Sequence, residues 1–190
     1  MSRPVNPQRP AELEEAIAGY LVKRGIAGLS LRPLAKAVGS SPRVLLYYFG
    51  SKEKMVARVL ASLRRRQHAA FDRMAGPTIP ACRAVWKQMS SPESEPAFRL
   101  FFEIYGLALR HPQRYRDFLR LTVQHWLDYI AAGLRSDGFQ PRQARLLASS
   151  ILAGLRGFML DYCATHDRRR INAAVDLWLR GLTLIPHSRS

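Results

Sequence analysis

The stretch SSPRVLLYYFGSKEKM, Ser40 to Met55, decides how this chain is read. Val44 to Phe49 is an unbroken apolar and aromatic run, and by β-propensity alone it would be a short buried strand. Ser41-Pro42 argues otherwise. Serine is a good N-cap, and proline in the first helical position has no N–H to lose. The run therefore reads as a short helix that begins about Pro42 and stops at Gly50. On such a helix Leu45, Tyr48 and Phe49 share one face, while Arg43, Val44 and Tyr47 lie largely on another. The second face is left for something other than the core.

The flanking segments are helical too. Leu13, Ile17, Tyr20 and Leu21 set an apolar face on a helix from about Pro10 to Arg24, with Glu12, Glu14 and Glu15 in its first turns and Lys23 and Arg24 in its last, as the macrodipole favours. Gly25 stops it. Ser30 caps a short helix carrying Leu31, Leu34, Ala35 and Val38, which ends at Gly39. Ser51 caps a long helix that reaches about Met74. Three helices of decreasing length, the last two joined by Gly-Ser-Ser, fit a helix-turn-helix whose third helix enters the DNA major groove.

The charge agrees. The 190 residues hold 30 Lys and Arg against 14 Asp and Glu, a formal +16. Residues 1–75 carry 14 basic and 5 acidic side chains, a net of +9 in well under half the chain. A field of this sign favours a polyanion, nucleic acid first and an anionic membrane surface second. Candidate DNA-contacting residues are Ser30, Arg32, Ser40, Ser41, Arg43, Val44, Tyr47, Tyr48 and Lys52. Ser30 and Ser41 serve as caps whether or not their hydroxyls also meet phosphate. The tail MSRPVNPQRP, with three prolines and two arginines, reads either as a basic arm placing Arg3 and Arg9 in the minor groove or as a plain mobile terminus. Arg64 to Arg66 read as a solvated helix face.

The string LSLRPLAKAVGSSPRVLLYYFGSKEKMV resembles the helix-turn-helix of TetR-family transcriptional regulators, whose usual pattern is T-x-x-x-I-A-x-x-A-G-V-S-x-x-x-L-Y-x-H-F-x-x-K-x-x-L. Ser30 stands for the threonine, Leu34-Ala35 for Ile-Ala, Val38-Gly39 for Ala-Gly, Ser41 for the serine and Leu45 for the leucine. Phe49, Lys52 and Met55 or Val56 complete the pattern, which covers about a quarter of the chain. Three positions depart from it. Ser40 replaces the valine, Leu46 the tyrosine and Tyr48 the histidine, so Tyr47 is the residue expected to supply the tyrosine's phosphate contact.

The rest of the chain reads as helices at about 79–89, 95–110, 113–135, 141–165 and 169–185. Ile171, Val175, Trp178, Leu182 and Ile185 recur at four, three, four and three, and Leu147, Ile151, Leu155, Phe158 and Tyr162 form a similar stripe. Gly154 and Gly157 would permit close helix approach. These seams are either intramolecular core or half of a two-fold four-helix interface. The resemblance implies the second: a homodimer through the last two helices, with candidate interface residues Leu147, Ile151, Gly154, Leu155, Phe158, Ile171, Val175, Trp178 and Leu182. It also implies a pocket for a small-molecule effector among the middle helices. Candidate lining residues are Trp86, Phe101, Phe102, Tyr105, Trp126, Tyr129 and Tyr162, an aromatic set that points to an apolar or aromatic effector and equally describes an ordinary core.

Other classes find little support. No GxSxG, HExxH or P-loop occurs, and no paired acids mark a catalytic face, so no enzyme is expected. The five histidines are scattered and Cys82 and Cys163 have no CxxC spacing, so neither metal nor cofactor is expected, and the cysteines read as free thiols of a reducing compartment. His125 reads as a satisfied core histidine or a polar group in a pocket. The first ten residues lack the apolar core of a signal peptide, and no apolar run approaches the ~18 residues of a membrane span. The expectation is a soluble cytoplasmic all-α protein of about nine helices. Residues 1–52 form the DNA-binding domain with its basic arm, and residues 53–190 the effector-binding and dimerisation domain. It should act on double-stranded DNA as a regulator, a repressor by resemblance, released from a near-palindromic operator. A non-specific architectural DNA-binding protein is the alternative.

Overall fold

A computed structural model describes residues 8–71 and 77–186. Among them are nine α-helices and no strand: α1 (Arg9–Arg24), α2 (Leu31–Ala37), α3 (Pro42–Phe49), α4 (Lys52–Phe71), α5 (Thr78–Met89), α6 (Glu95–Arg110), α7 (Pro112–Ser136), α8 (Pro141–Thr165) and α9 (Arg168–Thr183). The fold class is all-α. Two compact units divide the chain, Met1–His68 and Ala69–Ser190. A division after residue 52 is too early. Met55, Val56, Val59 and Leu60 of α4 are buried, and Arg58 both donates to Glu14 of α1 at 2.6 Å and lies over the Phe49 ring of α3, 5.3 Å from its centroid. The first half of α4 is thus bound into the N-terminal unit.

That unit is built on Leu13, Ile17, Ala18 and Leu21 of α1, Leu34 and Ala35 of α2, and Leu45 and Phe49 of α3, all buried. The α2–α3 turn is a Schellman motif. Ser40 N–H donates to the Ala35 carbonyl at 2.8 Å and Gly39 N–H to Lys36 at 3.3 Å, with Gly39 at φ 61°. Ser41 Oγ then accepts from Val44 N–H at 3.3 Å, which opens α3 as a helix. Ser51 Oγ accepts from Lys54 N–H at 3.1 Å and starts α4 in the same way. Ser30 has the extended backbone of an N-cap, but its hydroxyl makes no capping bond.

The second unit packs α5 to α9 around α8, whose main neighbour is α7, with α6 and α9 also against it. Ala144, Leu147, Ala148, Ile151, Leu152, Leu155, Met159 and Tyr162 of α8 are all buried. α8 has the length and composition of a membrane span, which corrects the expectation that no segment does; Arg145, Arg156 and Asp161 interrupt it, and the eight buried side chains place it as a core helix. At Gly154 the Trp178 side chain of α9 packs directly on the α8 backbone. A Cβ there would lie 2.5 Å from Cζ2 of Trp178, so the absence of a side chain is what seats the indole. Cys82 and Cys163 are free thiols, and burial pushes the Cys82 thiol up to about 12.

Two stability predictions follow from these contacts. A Cβ on Gly39 would meet nothing within 4 Å, so Gly39→Ala carries only the left-handed backbone penalty. It should cost about 1–2 kcal/mol in denaturant unfolding of the N-terminal unit, and Gly39→Asn clearly less. Equal stability of all three proteins would refute the turn geometry. Gly154→Ala should cost about 1–3 kcal/mol through overpacking against Trp178, and the double variant with Trp178→Leu should recover part of that loss. Simple additivity of the two changes would contradict the contact.

Candidate nucleic-acid interface

The exposed face of α3 follows from what its other face must bury. Leu45 is 0% exposed and Phe49 6%, which turns Arg43, Val44, Leu46 and Tyr47 outward. Tyr47 is 72% exposed, an unusual setting for an aromatic ring in a protein of this size. Tyr48 is half-buried and meets Tyr47 edge to face, 5.1 Å between centroids, which holds the outer ring in place. Arg32 and Lys36 on α2 are exposed as well. Arginine, a presented tyrosine and the free N–H groups at the start of α3 form a surface suited to phosphate and to base edges.

The structure moves three of the expected contact residues inward. Ser40 is half-buried and its hydroxyl is fully enclosed, without a hydrogen-bond partner. Lys52 is half-buried and its ammonium donates to the Leu29 carbonyl at 3.1 Å, tying the start of α4 to the loop before α2. Its first role is therefore positioning within the unit. Arg9 is no free arm residue. It opens α1, donates to the Gly39 carbonyl at 3.2 Å across the turn, and pairs with Glu12 at 3.2 Å. Ser41 is exposed with its oxygen engaged in the cap, and Ser30 is exposed. Arg3 lies outside the described residues, as do the side chains of Arg64 and Arg66; Arg65 is exposed and lies 3.5 Å from Glu14.

The aromatic set of the second unit differs in burial from residue to residue. Trp86 and Tyr162 are core residues: Trp86 Nε1–H donates to Asn172 at 2.8 Å, and the Tyr162 hydroxyl accepts from Arg168 at 2.9 Å. Phe101 stacks at 5.3 Å from Phe102 and 4.6 Å from Tyr105, all three half-buried on α6. Trp126 meets Tyr129 edge to face at 5.9 Å on α7, with Tyr129 exposed. Phe102 and Trp126 pack against the same core that holds Trp86 and Tyr162. His125 is exposed rather than in the core.

The two seams expected at a dimer interface belong to the protomer's own core. Leu147, Ile151, Leu155, Ile171, Val175 and Leu182 are buried within one chain; Phe158 and Trp178 pack on that core with their centroids 5.4 Å apart, and Gly154 lies beneath Trp178. The physical reason is that α8 and α9 must first close against α5 and α7. What they leave outward is a second pair of stripes, unremarked in the sequence because the more apolar seam dominates the pattern. On α8 it is Leu146, Ser150, Ala153, Gly157 and Leu160, and on α9 Ala173, Leu177 and Gly181, continued by Leu184. Leu146 and Leu177 are 66% and 67% exposed.

With this geometry in hand, comparison with known proteins is direct. Residues 15–59 match the family described as bacterial regulatory proteins, tetR family, over α1 to the first half of α4. The chain is 24% identical over 181 residues to the HTH-type transcriptional regulator BetI of Rhizobium meliloti, covering 94% of this chain and 77% of that protein. Its fold is similar to the crystal structure of a transcriptional regulator from Rhodococcus sp. Rha1, with TM-score 0.77, 20% identity, and 93% and 99% of the two chains covered. A TetR-family transcriptional regulator from Cytophaga hutchinsonii gives TM-score 0.77 at 15% identity over the whole of both chains. A helix-turn-helix with its third helix turned outward thus lies within the segment similar to the tetR family of bacterial regulatory proteins, and the chain shares its fold with known transcriptional regulators.

Proposed function

We propose that the protein is a homodimeric repressor in the bacterial cytoplasm, released from a near-palindromic operator by a small-molecule effector. The exposed Arg43–Tyr47 face of α3 carries the reading. Arg43 stands in the first turn, where a recognition helix meets base edges, and its fork suits guanine O6 and N7. Tyr47, one turn on, replaces the family's tyrosine at position 46, where this chain has an exposed Leu46 that offers only apolar contact to a thymine methyl. Arg32 and Lys36 supply phosphate contacts beside it. Residues 1–52, with the first half of α4, act as the DNA-binding domain, and the second unit dimerises and takes the effector.

Dimerisation is assigned to the outward stripes, not the buried seams. Leu146 and Leu160 on α8 and Leu177 and Leu184 on α9 supply apolar area, and the small residues Ser150, Ala153, Gly157, Ala173 and Gly181 beside them let helices approach closely. A two-fold dimer carries two copies of α3, which suits an operator of two half-sites, with centres about 34–36 Å apart if they lie one helical turn from each other. Effector action is then linkage: a ligand preferring a conformation with different α3 spacing weakens DNA binding by its differential affinity.

Selection of duplex DNA from a random pool should yield a two-fold symmetric site. On that site Arg43→Ala should cost about 1–3 kcal/mol and relax discrimination at one base pair per half-site. Loss of affinity with discrimination unchanged would make Arg43 a phosphate contact instead. Leu177→Arg should leave thermal stability of the protomer nearly unchanged, yield a monomer in sedimentation, and abolish preference for two half-sites over one. A dimer of unchanged stability would refute the outward-stripe interface.

A further inference from the structure

Among the described arginine side chains only Arg9 and Arg156 are not exposed, and Arg9 has a carboxylate partner in Glu12. Arg156 has none. It projects from α8 toward α6, where Nη1 donates to the Tyr105 hydroxyl at 2.8 Å and the guanidinium carbon lies 5.2 Å from the Phe101 ring centroid and 5.5 Å from that of Tyr105. Desolvation by burial depresses its pKa, and only Tyr105 acts in the opposite sense. The same burial raises the Tyr105 hydroxyl above its ordinary value, so that group keeps its proton. Arg58, Arg83, Arg99 and Arg170 each reach an acid at lower desolvation cost. Arg168 is exposed, meets two oxygens, of Ser90 and Tyr162, and lies near enough to Glu93 for its charge to help hold that carboxyl low.

A guanidinium carries five N–H donors, and one hydroxyl plus two ring faces leave most of them unanswered. In a half-buried place an unneutralised cation is costly unless something supplies the missing charge. Its unused edge matches a planar anion in bidentate fashion, and the Tyr105 O–H, which accepts from Arg156, has its own proton left to give to the same anion. Phe101 and Phe102 stand beside this pair on α6, half-buried, as an apolar wall for whatever the anion is attached to. A single positive charge balances a single negative one; a phosphate dianion would leave a charge uncompensated.

We propose that Arg156 and Tyr105 form the anchoring end of the effector site, and that the effector is a small monocarboxylate with an apolar or aromatic body. The proposal rests on the reading that this protein takes an effector, and it narrows the chemistry of that molecule. It also identifies a residue that the aromatic candidates leave out: the carboxylate meets Arg156, and the rings of α6 meet the body.

Calorimetric titration of the full-length protein with phenylacetate, 3-phenylpropionate and decanoate, each beside its primary amide, tests the anchor. At least one acid should bind ten or more times tighter than its amide. Arg156→Gln should erase that preference, Arg156→Lys should keep part of it, and Tyr105→Phe should reduce it severalfold. Acids and amides binding alike, acids binding undiminished to the Arg156→Gln protein, or no acid binding at all would each overturn the proposal. Operator release is measured separately with the same compounds. Arg156-dependent binding of an acid that leaves operator affinity unchanged would sustain the anion site and defeat the effector reading. Release of operator by the amides as readily as by the acids would sustain the effector reading and defeat the anchor.

Discussion

The geometry of the N-terminal unit hangs on the burial of Leu45 and Phe49. They are four residues apart on an eight-residue helix too short to be stable alone, so their burial within the unit, where α3 packs on α2, is what holds α3 as a helix. At about 1.5–3 kcal/mol for each buried side chain, the pair supplies much of what keeps α3 folded and fixes its rotation about its own axis. Once they point inward, Arg43 and Tyr47 have only one direction left. The Schellman turn at Gly39 and the Ser41 cap set where the helix starts, and Arg9 and Lys52 clamp the surrounding loops to backbone carbonyls. The proposed recognition face is thus a consequence of core packing: it is what the core of this unit does not use.

The same logic governs the second unit. α8 and α9 each carry two stripes, and the more apolar one is consumed by the protomer. Gly154 exists to admit Trp178, an intramolecular contact, while Gly157 stands on the outer face with nothing within 4 Å of its Cβ position. Two glycines three residues apart, on neighbouring stripes of one helix, thus meet different surroundings: one lies beneath Trp178 and the other is open. The outer face carries the small residues and terminal leucines suited to a second copy of the chain, and Arg156 on a third side of α8 faces the rings of α6. One helix therefore takes part in the core, in the proposed dimer and in the proposed effector site.

Most of the fold was legible in the chain because punctuation and periodicity agree. Ser41-Pro42 overrode the strand propensity of Val44–Phe49, and caps and glycines placed the helix limits within a residue or two of their observed positions at most ends. The exposed face of α3 was legible for the same reason, since Leu45 and Phe49 define the inward direction. What could not be read was which of two helical stripes faces inward when both are tolerably apolar, because that depends on the partners α5 and α7 and not on α8 or α9 themselves. Ser40 and Lys52 misled for a related reason. A hydroxyl or an ammonium in a basic motif reads as surface, and only the loop carrying Leu29 and the turn around Gly39 show where each is held. Arg156 gave a signal that composition hides: a lone cation between Leu155 and Gly157 on an apolar helix, in a chain with arginines almost everywhere else.

Footprinting of the purified protein on DNA flanking its own gene, across a salt series with competitor DNA present, tests the central claim most directly. The account predicts protection of a near-palindrome that survives competitor, with two half-sites centred about one helical turn apart and an affinity falling steeply as salt rises. Uniform weak binding across all flanking sequence, lost as salt rises and with no protected site emerging from a random pool, would contradict it. The protein would then be an architectural DNA binder whose charge, and not its third helix, makes the contact.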